Sequence, residues 1–215
     1  MSAPVVGTEA GGLARAAAVV RGGGVLVYPT ETVYGLGGDP ARRGVLARVR
    51  ALKGRDADKP MLVLTDAWAR VRSWLREPPG PREPPGPLRR LMEHEPPLPV
   101  TLLFEPSRHA PEGLVGPGGR IGIRRTSDPF CRALMAAAGC TLLSTSANLA
   151  GGAAPRRLGE IDATLRTAVD LVVDAGRELA GVPSTVARVD GEALVVVREG
   201  ALARDVLEAV AYGEN

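Results

Sequence analysis

Apolar and polar positions alternate along this chain in short runs that predict a succession of strands and helices. Thr8 is placed to cap a helix running to about Arg21, with Ala, Leu and Val on one face. Gly22-Gly23-Gly24 stops it, and Val25 to Tyr28 reads as a short buried strand ended by Pro29. Glycines 35, 37 and 38 are expected to keep the next loop tight. Asp39 is expected to cap a second helix, with Pro40 at its first position and its end near Leu52. Met61 to Leu64 predicts a strand and Asp66 to Leu75 a helix. Leu88 to Glu93 predicts a short helix, Val100 to Phe104 and Ile121 to Arg124 strands, and Pro129 to Ala138 a helix. Thr141 to Ser144 and Leu171 to Val173 read as strands, with Ile161 to Ala168 helical between them. Thr185 to Val189 and Leu194 to Arg198 suggest a hairpin around Asp190-Gly191, and Ala203 to Tyr212 a last helix.

Strands alternating with helices imply an α/β class with an open twisted sheet flanked by helices. The hairpin makes a mixed sheet the expectation rather than a purely parallel one. Residues 1–215 read as a single domain. The near-repeat Arg-Glu-Pro-Pro-Gly-Pro breaks the rhythm near 77–87 and predicts an exposed, extended loop insertion, since prolines at that density suit neither helix nor central strand.

Composition narrows the classes. Hydrophobic residues at 45% and charged residues at 24% describe a globular rather than a disordered chain, and aromatics at 3% leave the core to Val, Leu and Ala. The net charge of +3 permits an anionic partner without demanding one. Lysine occurs only at Lys53 and Lys59, which reflects either local selection for an ammonium or a compositional preference for arginine. Cys131 and Cys140 form no Cys-x-x-Cys and read as free thiols in a reducing cytosol, hence a cytoplasmic location. His94 and His109, both in Pro-rich surroundings, offer little for a Ser-His-Asp triad or a histidine-rich zinc site, so no metal ligands are assigned. No apolar run is long enough to span a bilayer and no secretory leader pattern opens the chain, so no membrane partner is expected.

The candidate chemistry lies at strand ends. Lys53-Gly54-Arg55 pairs a point charge with a bidentate fork, suited to a polyphosphate, although solvated helix ends produce such pairs constantly. Arg124-Arg125 and Arg198 end two further strands. Ser144, Thr145, Ser146 and Asn148 follow a buried strand, and Pro183-Ser184-Thr185 precedes another; each group either binds a ligand or satisfies its own turn. Small donors and fixed cations together describe a site for a phosphorylated ligand. Neither the Gly22–24 run nor Gly35-Leu36-Gly37-Gly38 matches a Walker loop or a dinucleotide fingerprint.

Pro29-Thr30-Glu31-Thr32-Val33-Tyr34-Gly35-Leu36, Lys53-x-Arg55, Ser146-x-Asn148, Ser184-Thr185-Val186 and Arg198-x-Gly200 occur in that order. The ordered set, running from about Thr8 to Ala211, resembles the YrdC-like family of threonylcarbamoyl-AMP synthases in its short bacterial form. The resemblance implies a YrdC-like fold with a basic concave cavity. It also implies a nucleotidyltransferase that converts L-threonine, bicarbonate (or CO2) and ATP into threonylcarbamoyl-adenylate and pyrophosphate. ATP would be the substrate and Mg2+ its cofactor. The product would go to tRNA through the tRNA-threonylcarbamoyltransferase machinery. Carried over by position, Lys53 and Arg55 would be catalytic, and Lys53, Arg55, Arg120, Ser146, Asn148 and Arg198 would hold ATP. Thr30, Thr32, Lys59, Arg124, Ser144 and Ser184 would surround threonine.

The chain departs from the family pattern at Asp56, at Leu98 within Pro97-Leu98-Pro99-Val100-Thr101, at Thr126, and at Ala154-Pro155-Arg156. Other readings of the same residues are a carbamoyl-adenylate-handling relative, a paralogue for another amino acid, and a non-catalytic RNA-binding module. The scarcity of aromatic stacking platforms weighs against the last.

Overall fold

The computed structural model describes residues 3–54, 61–76, 84–111, 113–116 and 118–213. Its elements are β1 (Val5–Val6), α1 (Ala10–Arg21), β2 (Leu26–Tyr28), β3 (Gly35–Gly37), α2 (Val45–Leu52), β4 (Leu62–Thr65), α3 (Gly86–Glu93), β5 (Val100–Phe104), β6 (Ile121–Arg125) and α4 (Pro129–Ala138). They continue with β7 (Leu142–Ser146), α5 (Ala163–Ala168), β8 (Leu171–Val173), β9 (Thr185–Asp190), β10 (Ala193–Arg198) and α6 (Arg204–Tyr212). The strands form one mixed sheet in the order β1-β8-β2-β3-β7-β4-β6-β5-β9-β10. β1–β8, β8–β2, β4–β6 and β5–β9 pair in parallel, the other neighbours antiparallel.

The mixed α/β sheet agrees with the pattern of the sequence, and β5, α4 and β8 lie where that pattern puts them. The β9–β10 hairpin turns at Gly191, whose φ of 63° favours glycine. Four details differ. Glu9, not Thr8, caps α1, its carboxylate accepting the Gly12 N–H at 3.1 Å. Asp39 caps an isolated turn through Ala41 N–H at 2.9 Å, so α2 starts only after Gly44. Residues 66–75 make two single 3-10 turns, Trp68–Arg70 and Arg72–Trp74, instead of one helix. The helix near 88 begins at Gly86, inside the proline-rich stretch, because Pro85 at its cap and Pro87 in its first turn sit where a missing N–H is harmless. Residues 77–83 of that stretch lie outside the described residues.

The largest correction is β3, which the glycine spacing presents as a loop. Gly37 lies so close to β7 that an added Cβ would stand 1.7 Å from the Leu143 carbonyl oxygen. Only glycine permits that approach, and it lets β3 bond to β2 on one side and β7 on the other.

Side chains alternate across the sheet and divide it into two unlike faces. On one face Val27, Leu36, Val63, Ile123, Leu143 and Val172 pack under α2 and α5. Further along that face, Val100, Leu102 and Ala187 pack under α3 and α6. Each fully buried Val, Leu or Ile side chain among these stabilises the fold by about 1.5–3 kcal/mol. On the opposite face α1 and α4 pack together over Leu26, Tyr28, Leu64, Leu142, Leu171 and Val173. Beyond that helix pair the same face continues through Gly35, Ser144, Leu62, Gly122, Thr101 and Val186, which line a cavity instead of a core.

A candidate active-site cavity on the open face of the sheet

Register explains the cavity. Gly35 pairs with Ser146, Ser144 with Leu62, Leu62 with Gly122, Gly122 with Leu103, and Thr101 with Val186. All project to one face, and several are glycine, serine or threonine. A Cβ at Gly122 would stand 3.2 Å from the Thr101 methyl, so this floor is low because its side chains are small. The resulting cavity has a volume of about 200 Å³.

Five segments supply its polar wall. Thr30 and Thr32 come from the turn after β2, Arg124 from β6, Ser144 and Ser146 from β7, Ser184 from the approach to β9, and Arg198 from the end of β10. Thr30, Thr32, Arg124, Ser144 and Ser184 are buried. Their hydrogen bonds form a connected chain. Thr30 Oγ1 lies 2.8 Å from the Val33 carbonyl and accepts the N–H groups of Thr32 and Val33. Thr32 Oγ1 shares a hydrogen bond of 2.9 Å with Thr30 Oγ1 and accepts from Arg124 Nη1 at 3.1 Å. Arg124 Nε also faces Glu31 Oε1 at 3.4 Å.

Across the cavity Thr101 and Ser184 share a hydrogen bond of 2.8 Å. Arg198 Nη2 donates to the Ser184 carbonyl at 2.8 Å, and burial lowers its pKa, though a guanidinium remains charged. Gly200 permits this turn: a Cβ there would stand 2.2 Å from the Pro183 carbonyl oxygen. Tyr28 lies behind the floor, fully buried, with its hydroxyl on the Leu143 carbonyl; burial pushes its pKa far up, so it stays protonated.

The other sequence-derived residues lie off this lining. Lys53 is buried, and its ammonium donates to the Ser146 carbonyl and to Asn148 Oδ1 at 3.2 Å. The lysine and the Ser-Asn turn are thus adjacent. Asn148 is also bonded to Ser146 Oγ and to the carbonyls of Leu149 and Gly152. Arg120 pairs with Asp190 at 3.2 Å outside the lining. Arg55, Lys59 and Asp56 lie outside the described residues. Cys131 is buried and Cys140 partly exposed; burial raises both thiols, Cys140 to about 12, so neither is an activated nucleophile.

The sequence reading missed Thr101, Glu31 and Thr126. Thr101 had a signal, being the one polar residue in the run Val-Thr-Leu-Leu-Phe. Glu31 reaches Arg124 and Thr126 only through tertiary contacts.

The model of the Sua5/YciO/YrdC family, described as "Telomere recombination", matches residues 18–200. A threonylcarbamoyl-AMP synthase of Thiobacillus denitrificans is 40% identical over 136 residues, 62% of this chain and 68% of that protein. One from Xanthomonas axonopodis pv. citri is 34% identical over 162 residues, 75% of this chain and 84% of that protein. Among solved structures, E. coli YciO superposes with a TM-score of 0.79 at 26% identity, over 94% of this chain and 98% of its own. P. abyssi Sua5 complexed with L-threonine gives a TM-score of 0.85 at 24% identity, over 98% of this chain. This chain spans 61% of that Sua5 chain.

Proposed function

The chain belongs to the Sua5/YciO/YrdC family, and on that premise we propose that it is an L-threonylcarbamoyladenylate synthase. Its reaction joins L-threonine, bicarbonate or CO2, and ATP, and releases pyrophosphate; the adenylate then passes to the machinery that modifies tRNA. One observation carries this reading: Thr30, Thr32, Arg124, Ser144 and Ser184, from four separate segments, line one small cavity with Arg198 at its far wall. The relatives' name and the threonine bound to P. abyssi Sua5 support the same substrate here.

The cavity's size supports a division of labour. At about 200 Å³ it is smaller than the roughly 300–1,000 Å³ of sites that engulf drug-sized ligands. It suits an amino acid, with the nucleotide extending toward the Ser146–Asn148 turn and Arg198. Arg124 presents a guanidinium for the threonine carboxylate, and the surrounding hydroxyls accept from its ammonium or meet its hydroxyl. The threonine nitrogen, once deprotonated, attacks CO2 to form a carbamate. A carbamate oxygen then attacks the α-phosphorus, and the bond to pyrophosphate breaks. ATP supplies the activation, so the enzyme needs no nucleophile of its own. Its work is to align reactants and to balance phosphate charge with Lys53, Arg55, Arg120 and Arg198.

Magnesium accompanies ATP in the expected reaction. Among the described residues the lining offers hydroxyls and arginines but no carboxylate, and no group of three His, Cys, Asp or Glu side chains could hold a metal. This donor set does not fit an ion held by the protein.

The test is direct. Purified protein with ATP, magnesium, bicarbonate and labelled threonine should yield a threonine-containing adenylate and pyrophosphate. Absence of that product, or a preference for carbamoyl phosphate over threonine, would reject the assignment.

A further inference from the structure

We propose that Thr126 and Glu31 act as a positioning pair that fixes the guanidinium of Arg124, and thereby set the affinity for the carboxylate of the substrate. The proposal rests on the amino-acid reading of the cavity given above.

Thr126 is fully buried just beyond β6, and its main chain is anchored by its N–H on the Thr65 carbonyl at 3.1 Å. Its hydroxyl oxygen already accepts the Asp128 N–H at 3.2 Å. Its proton therefore goes to Glu31 Oε2, at 2.6 Å. A carboxylate only accepts, so the direction of this bond is fixed. The second carboxylate oxygen, Glu31 Oε1, is buried with no hydrogen-bond partner, and so is Arg124 Nε. These two orphans face each other at 3.4 Å. The guanidinium is thus hydrogen-bonded to Thr32 Oγ1 at Nη1 and ion-paired with Glu31 at its Nε edge.

Held by Thr32 alone, the planar fork could pivot about a single bond. A carboxylate on the Nε edge removes that freedom, and Thr126 in turn keeps Glu31 from rotating away. Neither Thr126 nor Glu31 lines the cavity, so both act through Arg124 and not on the substrate.

The experiment compares the full-length protein with Thr126→Val and Thr126→Ser. Losing the hydroxyl in Thr126→Val should raise KM for threonine about tenfold while KM for ATP stays within about twofold. Serine keeps the hydroxyl and should restore wild-type values. In parallel, the Arg124 Nε–H signal in a nitrogen-15 spectrum, assigned by its loss in Arg124→Lys, should be exchange-protected in wild type and Thr126→Ser and broadened in Thr126→Val. An unchanged threonine KM in Thr126→Val, a parallel rise in both KM values, or failure of serine to rescue overturns the proposal. If wild-type protein makes no threonine-dependent adenylate, the functional reading fails, and the Nε–H signal alone decides the pair: equal protection in wild type and valine overturns it. Should Thr126→Val not fold, Glu31→Ala replaces it under the same criteria.

Discussion

The two ends of the cavity are built differently. At the end proposed for the amino acid, Thr30, Thr32, Arg124, Glu31 and Thr126 are interlocked by hydrogen bonds and one ion pair and are largely withdrawn from water. On the side proposed for the nucleotide, cations are engaged with other protein groups: Arg198 in the lining with the Ser184 carbonyl and, off the lining, Lys53 with the Ser146–Asn148 turn and Arg120 with Asp190. The first end is organised before any ligand arrives. The second must exchange protein partners for phosphate oxygens when ATP binds. Preorganisation favours selectivity at the amino-acid end, whereas affinity at the nucleotide end is reduced by the contacts given up.

Substitutions at the two ends should therefore behave differently. The largest effect is expected from Arg124→Ala, which removes the guanidinium proposed for the threonine carboxylate and leaves Glu31 without its ion-pair partner. Losing a charged hydrogen-bond donor, about 1.5–3 kcal/mol, would cut threonine-dependent pyrophosphate release by roughly ten- to a hundredfold, with ATP affinity little changed. An ATP affinity that fell equally would erase the distinction between the ends. Next comes Lys53→Ala. It leaves the Ser146 carbonyl and Asn148 without their ammonium, so melting and ATP titration should show a stability loss of about 1–3 kcal/mol together with weakened ATP binding. Weaker ATP binding at unaltered stability would mean that the lysine serves the ligand alone.

The smallest effect calibrates the others away from the cavity. Arg48 forks onto Asp170, whose carboxylate also accepts the Val25 N–H. Burial pushes the Asp170 pKa up, but the Arg48 bonds and the Val25 N–H outweigh it, and the carboxyl lies below its usual range. A depressed folded pKa gives stability that is present above the unfolded value and lost as pH falls through the folded one. Since the pair is partly exposed, Arg48→Ala should lower the melting midpoint near pH 7 by only about 1–4 °C. That difference should close as pH falls below the ordinary aspartate value of about 3.9 and through the depressed folded one, and the KM for threonine should not move. A pH-independent difference would assign the effect to packing.

Much of the fold is legible because local signals agree with it. Asp128-Pro129 announces α4 with both a cap and a first-turn proline, and Val-Val-rich runs announce β8 and β10. The failures share one cause, which is that distant contacts decide the outcome. Gly35-Leu36-Gly37 has the composition of a turn, and nothing local says that Leu143 will press against it. Asp39 suits a helix cap, yet it caps a lone turn while the helix waits for Gly44. The site divides in the same way. Threonines and serines at strand ends stand out along the chain, whereas Thr101 enters the cavity only because β5 pairs in parallel with β9. The departure at Thr126 reads as a loss when the chain is laid against its family pattern. In three dimensions its hydroxyl is the anchor of Glu31.

The glycine contact between β3 and β7 has a wider consequence. The span from the Thr30–Thr32 turn to Ser144 and Ser146 is dictated by main chain against main chain, with Leu143 N–H on the Gly38 carbonyl and Ala147 N–H on the Tyr34 carbonyl. Dimension and lining are thereby uncoupled. Evolution can refit the walls of such a pocket for a new guest while the frame keeps its gauge.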